Sequence, residues 1–287
     1  MTSAHPIAHP IETGTDTVLA EVVEGVGVLT LNRPERRNAL HAEMYVAVPR
    51  LLEQFGADDA VGCVLITGSG SAFCAGGDVR DGNSGRQTSE QAGDDGDVEA
   101  KMRAQSAQLA DNAKMVTLLH HMPKITIAAL PGAAVGAGMS IALAADLRIA
   151  ARSARLIPGW SKLAFSGDFG GAWFLTRLVG PAKALELLIA DEPVDAEAGL
   201  RLGLFNRVVD DADLRESAIR WAAQIAAGPT AAFAGTKANV LDAQKLSLEQ
   251  ALADESERMV RSGMTAEHRA AAKAWLAAAA AKAGARS

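Results

Sequence analysis

Twenty-one consecutive residues, Ile125 to Ala145, carry no charge, and whatever this chain folds into has to bury them. A run of that length can span a bilayer. Here it is interrupted by Pro131, Gly132, Gly136 and Gly138 and is rich in alanine, so it reads as a buried strand, a glycine-rich turn and a buried helix. An earlier stretch has a related order: the apolar run VGCVLIT (61–67), then the glycine-rich GSGSAFCAGGDV (68–79). With 287 residues there is room for one large domain and a substantial core. A net charge of −6 and 4% aromatic residues argue against nucleic-acid binding, which leaves a basic or base-stacking footprint. Cys63 and Cys74 provide neither a disulfide framework nor metal-type spacing, which suits a reducing, cytoplasmic setting. The first basic residue is Arg33, so no cationic leader is read, and no membrane span is expected.

The rest of the chain extends this pattern. Residues 1–16 are polar and proline-containing and read as a flexible start. Val18 to Leu31 alternates around Glu24-Gly25 as a hairpin. Asn38 offers an N-cap for a helix reaching Phe55, with Gly56 as its stop. Residues 80–97 read as a polar excursion, followed by a helix to His121, a strand Ile125–Leu130, a helix Met139–Ala145 and a strand Leu147–Ala150. A loop carrying Trp160 and Asp168 comes next. From Ala172 onward the pattern is helical apart from a short strand, Asn206–Val209. Strands alternating with helices, then a run of helices, give an α/β core (17–210) with a helical C-terminal region (211–287).

Two glycine-rich turns, Ala75-Gly76-Gly77-Asp78 and Gly136-Ala137-Gly138, each follow an apolar strand. Small residues let a ligand approach the backbone, and N–H groups at a helix start point outward with the helix dipole behind them. Tight turns and close helix packing alone would also call for such glycines. Neither turn has a phosphate-loop or dinucleotide pattern. With their neighbours, these segments resemble the crotonase superfamily, the enoyl-CoA hydratase/isomerase family. The matching pieces are LNRPERRNAL (31–40), VLITGSGSAFCAGGD (64–78), Pro131–Asp146, FSGDFGGAWFLTRLVG (165–180) and AEAGLRLGLFNRVV (196–209), spread over residues 17–276.

The resemblance implies repeated strand–strand–helix units, a C-terminal helical trimerisation region, and a homotrimer or dimer of trimers. It implies an acyl-CoA thioester as substrate, with coenzyme A entering only as part of that substrate and no other cofactor or metal. The thioester oxygen would be held, as it becomes an enolate, by the backbone N–H groups of Gly77 and Ala137. Arg37 and Arg80 fall where similar proteins meet the CoA phosphates and ribose; the alternative for each is a solvated surface charge. Ala39, Ala75 and Gly76 fall where backbone lines the adenine and pantetheine. Trp275 falls where an aromatic residue approaches a neighbouring subunit's CoA, but the basic cluster usual there is replaced by alanines.

The sequence departs from the family's hydratases, which use two glutamates: the matching positions are Ser140 and Trp160. Asp168, between Phe165 and Phe169, is the carboxylate left in the right neighbourhood. One acid suffices for a double-bond or proton shift, because it removes a proton from one carbon and returns it to another. An isomerase is therefore expected first and a hydratase second, with a non-catalytic acyl-CoA binder as the reading of another class. Asp168 could instead cap the helix that starts near Gly170. The Trp160/Asp168 pair also resembles that of 4-chlorobenzoyl-CoA dehalogenase, but that chemistry needs a histidine, and His120 and His121 have no clear match to it. Ser140 as a hydrolase nucleophile lacks a downstream base, since no histidine falls between His121 and His268. Cys74 reads as a buried structural thiol, and Asp78 as a loop anchor.

Overall fold

Val18–Val23 (β2) and Val26–Leu31 (β3) form the expected hairpin. Glu24 and Gly25 both adopt positive φ, 50° and 74°, as a two-residue turn between twisted strands demands. The computed structural model describes residues 9–78 and 98–284. Within them His9–Ile11 (β1) pairs antiparallel with β2, so the polar start contributes an edge strand; residues 1–8 lie outside the description. Cys63–Gly68 (β4), Ala72–Cys74 (β5), Ile125–Leu130 (β6), Ala133–Val135 (β7), Leu147–Ala151 (β8) and Arg155–Ile157 (β9) follow. The last two strands are Val194–Asp195 (β10) and Arg207–Val209 (β11). One sheet has the order β1-β2-β3-β4-β6-β8-β11, parallel from β3 onward; the second runs β10-β9-β7-β5.

This topology is a repeat. β4, β6 and β8 each lie in the large sheet, and each is followed within a few residues by a short strand, β5, β7 or β9, in the small one. The sequence reading missed these short strands, and β10 as well, because two or three residues carry no usable alternation. It took β5 and β7 as parts of glycine-rich turns and β9 as part of a loop. The turn between β6 and β7 passes so close to its counterpart that a Cβ on Gly132 would lie 2.0 Å from the Ser71 carbonyl oxygen.

Alternation along the large sheet separates two apolar layers. Val64, Ile66, Ala128 and Leu130 face one core, while Cys63, Leu65, Ile127 and Ile149 face the other. Ala42–Ala57 (α1), Lys114–His121 (α3) and Ala137–Ala144 (α4) pack in the first layer. Leu214–Ala226 (α8) covers the second with Leu214, Ala218 and Ala222, one residue per turn. The helical region thus begins by closing the core. The other helices are Val98–Asn112 (α2), Gly171–Val179 (α5), Pro181–Ala190 (α6), Ala196–Arg201 (α7), Thr230–Asp242 (α9), Leu248–Gly263 (α10) and Ala266–Gly284 (α11).

Helix α1 does not start after Asn38. Its N-cap is His41, and Asn38 takes φ 56° with its side chain fully buried. The Asn38 amide donates to the carbonyls of Ser69 (2.9 Å) and Ala72 (2.8 Å), and its Oδ1 accepts from the Arg33 N–H at 2.8 Å. A residue that reads locally as a cap is instead a long-range clasp. Gly56 does not stop the helix either, which runs one residue further. Among the described residues no helix is long and apolar enough to cross a membrane.

Candidate active site

The repeat explains how the two glycine turns meet. β5 and β7 are parallel neighbours, with Ala72 opposite Ala133 and Cys74 opposite Ala134, so the segments leaving their C-terminal ends emerge side by side. β9 pairs parallel with β7, Val135 opposite Ile157, and adds the Pro158-Gly159-Trp160 turn to the same edge. Ligand sites in parallel sheets form at this end of the strands.

The approach is close. A Cβ on Gly76 (φ 83°) would lie 2.8 Å from the Val135 oxygen and 3.6 Å from the Ala137 nitrogen. A Cβ on Gly138 would lie 2.3 Å from the Cys74 oxygen. Gly136 takes φ 55°, ψ −122°, a region open in practice only to glycine, and caps α4. Ala137 is then the first helical residue, whose N–H has no carbonyl four residues back to receive it. Gly77 forms a parallel bridge with Leu40: the Leu40 N–H donates to the Gly76 carbonyl and the Asp78 N–H to the Leu40 carbonyl. In such a bridge the central residue's own N–H points away from the partner strand.

Asp168 and Trp160 complete the cluster. The Trp160 side chain is buried (3% exposed), and its indole Nε1–H donates to Asp168 Oδ1 at 3.0 Å. That nitrogen lies 3.7 Å from where a Cβ on Gly136 would stand, so it ties the carboxylate to the second turn. Ser140 Oγ is fully buried and donates to the Asp168 carbonyl at 3.1 Å, fixing the loop backbone. The Ser140 hydroxyl proton is therefore directed at a backbone carbonyl. Asp168 does not cap α5: the N-cap is Gly170, and no side chain fills the cap. Phe169 is buried and Phe165 is 47% exposed, so only one of the two expected flanking rings is packed into the fold.

The CoA-contact candidates also come together. The Ala75 N–H donates to the Arg37 carbonyl (3.0 Å), and Leu40 joins Gly76 as above; Arg37 is exposed and Ala39 buried. Arg80 lies outside the described residues, as does the excursion expected at 80–97. Asp78 is an anchor, accepting from Arg33 Nη2 at 3.1 Å, while Arg33 Nη1 also donates to the Ala39 carbonyl at 2.7 Å. Burial pushes the Cys74 thiol up to about 12, which removes it as a nucleophile. Among the described residues no group of histidines, cysteines and carboxylates could hold a metal ion. Trp275 is exposed on α11.

Tyr45 escaped the sequence reading, and His120, weighed there only for dehalogenase chemistry, also reaches this neighbourhood. The hydroxyl of Tyr45, on α1, lies 3.9 Å from the Cβ position of Gly77, and its ring meets Phe169 at 6.3 Å. His120, at the end of α3, lines a cavity of about 510 Å³ together with Asp168 and Phe169. Both arrive by helix packing across the fold, and no local pattern announces that. A larger cavity of about 1150 Å³ lies elsewhere, among the N-terminal residues, the sheet and α8.

Comparison with known proteins gives the family and the fold. The Enoyl-CoA hydratase/isomerase family profile matches residues 21–279. The chain is 35% identical over 260 residues to the 1,2-epoxyphenylacetyl-CoA isomerase of Escherichia coli (strain K12), covering 91% of this chain and 95% of that protein. It is also 35% identical over 267 residues, with the same coverage, to a protein of Rhodobacter capsulatus named a probable enoyl-CoA hydratase. The crystal structure of an enoyl-CoA hydratase from Polaromonas sp. JS666 superimposes with a TM-score of 0.80 at 32% identity, over 91% of this chain and 96% of that one. The chain belongs to the enoyl-CoA hydratase/isomerase family and has its crotonase fold.

Proposed function

We propose that this protein shifts a proton or double bond within an acyl-CoA thioester, passing through the thioester enolate. The observation that carries this reading is the Trp160–Asp168 contact of 3.0 Å beside the junction of the two turns. A thioester α-proton is a weak acid, and its removal becomes practical only when the developing oxyanion is stabilised. The N–H groups of Gly77 and Ala137 supply that stabilisation. The Asp168 carboxylate takes the proton from one carbon and delivers it to another, leaving the residue as it began. The indole N–H of Trp160 holds the carboxylate in place, and Ser140 holds its loop. Arg37, with Arg80 from the sequence, pairs with the CoA phosphates, and the backbone of Ala39, Ala75 and Gly76 flanks the adenine and pantetheine. No further cofactor is required.

Isomerisation is favoured over hydration because a single carboxylate is enough for it, and the two positions that carry glutamate in hydratases hold Ser140 and Trp160. The isomerase name of the Escherichia coli relative agrees; the hydratase name of the Rhodobacter relative keeps water addition as the second reading. Self-association through the C-terminal helices is supported by exposed apolar side chains there, among them Leu248, Met259, Trp275 and Leu276, and sedimentation measures it. The cell's reducing cytoplasm suits both buried free cysteines. The test is Asp168→Asn, read as deuterium uptake from D₂O at the substrate's α-carbon across a panel of CoA thioesters. Loss of about 100- to 10,000-fold is expected for removal of an acid–base residue. Unchanged exchange rules Asp168 out, and binding without exchange in the unaltered protein leaves only an acyl-CoA carrier.

A further inference from the structure

The cavity beside Asp168 ends at a wall of three rings, and a second cavity lies behind that wall. The first, of about 510 Å³, is lined by apolar groups including Leu109, Ala113, Val116 and Phe169. The second, of about 450 Å³, runs beneath α9 and is lined by Ile125, Leu143, Leu147, Phe233, Val240 and Leu241 among others. His120, Trp173 and Phe174 line both. They pack edge to face, with centroids 5.0 Å apart for His120–Trp173, 5.4 Å for His120–Phe174 and 4.9 Å for Trp173–Phe174.

We infer that this three-ring partition, with His120 as its removable member, sets the length of acyl chain the site accepts. The inference rests on the acyl-CoA reading above. The three rings are not held equally. Trp173 lies under the Arg177 guanidinium, 3.6 Å from its ring centre, and Phe174 is buried at 8% exposure. His120 Nε2 is shut away from solvent and has no hydrogen-bond partner, so packing is all that holds this end of the ring. A buried unpartnered nitrogen is unfavourable, and turning the ring aside breaks no bond at that atom. The imidazole is neutral, because burial lowers its pKa to about 4, so a hydrocarbon chain can lie against it without burying a charge.

The space beyond favours one occupant. Its charged members are already engaged: Lys237 Nζ donates to Asp146 Oδ2 at 2.8 Å, Arg148 donates to the Leu204 and Ala145 carbonyls at 2.6 Å each, and Arg177 stacks on Trp173. What is left to a ligand is apolar wall, which suits the unbranched end of an aliphatic acyl chain and offers little to a polar or charged one. Acyl chains that end before the rings occupy the Asp168 cavity alone. Longer ones need the second cavity, which the rings close off.

Binding of saturated acyl-CoAs of four to sixteen carbons, by calorimetry on the full-length protein, reads this directly and requires no turnover. Affinity in the unaltered protein is expected to rise about fourfold per methylene until the chain end meets the rings, then to level off. His120→Ala moves that break to chains about four carbons longer and tightens sixteen-carbon binding at least tenfold relative to the short members. His120→Leu, which refills the wall, keeps the original break. Trp173→Ala, on the more exposed side of the wall, opens the same passage and serves if His120→Ala does not fold. An unmoved break in the opened variants, or a break that moves equally in His120→Leu, overturns the partition while the acyl-CoA reading stands. Failure of every acyl-CoA to bind overturns both.

Discussion

Gly76 and Gly25 share a similar positive φ and have very different surroundings, and that pair separates strain from function. Their φ angles are 83° and 74°. An alanine in the left-handed region costs about 1–2 kcal/mol at either place. At Gly25, in the β2–β3 turn, the new methyl meets Ala226 Cβ at 3.5 Å, an ordinary contact. At Gly76 it meets the Val135 carbonyl oxygen at 2.8 Å, and backbone has to move. Overpacking of that kind adds about 1–3 kcal/mol. Gly25→Ala is thus expected to lose about 1–2 kcal/mol and Gly76→Ala about 2–5 kcal/mol in thermal or urea unfolding. Both losses fit within the roughly 5–15 kcal/mol of an ordinary domain. Activity is where they part. Retreat of Val135 carries the Gly136–Ala137 peptide with it, and loss of one oxyanion donor costs about 100- to 1000-fold in rate. α-Proton exchange into D₂O is therefore expected to collapse in Gly76→Ala and to survive in Gly25→Ala. Exchange rates within about threefold of each other would refute the assignment of these turns to the oxyanion.

Other expectations follow from the same structure. Lys237→Met leaves Asp146 buried without its cation, whose attraction opposes the rise in pKa that burial gives the carboxylate. A loss of about 3–5 kcal/mol is expected in denaturant unfolding, with partial recovery in Lys237→Met/Asp146→Asn. Burial depresses the His120 pKa to about 4 from its ordinary 6.5, so the fold favours the neutral ring. Its contribution is complete above pH 6.5 and declines as pH falls from there toward 4; His120→Leu flattens the melting temperature across that window. Cys74, with its thiol raised to about 12, is expected to resist iodoacetamide in the native protein and to react on unfolding.

Much of the α/β core was legible in the sequence because β4 and β6 are nearly all apolar and each is followed by a glycine-rich turn. The β2–β3 hairpin, β4, β6 and the strand–turn–helix at Ile125–Ala145 all came from local pattern. The short strands β5, β7, β9 and β10 did not, since their identity depends on pairing with one another. That second sheet is what makes the site: it aligns three successive turns, which sequence shows only as separate loops. Asn38 illustrates the same limit, because its partners are Ser69 and Ala72, some thirty residues away, and no helix-start rule weighs them. Asp168 and Trp160 were found through the family motif, while Tyr45 and His120 approach from helices whose packing no motif encodes.

The central claim is that the Gly77 and Ala137 N–H groups serve one oxygen. A crystal structure with a bound, unreactive acyl-CoA thioester analogue tests it most directly. The expected result places the thioester oxygen about 2.7–3.1 Å from both nitrogens, with the Asp168 carboxylate facing the α-carbon. A thioester oxygen turned away from either nitrogen, with the acyl group elsewhere than beside Asp168, would contradict it.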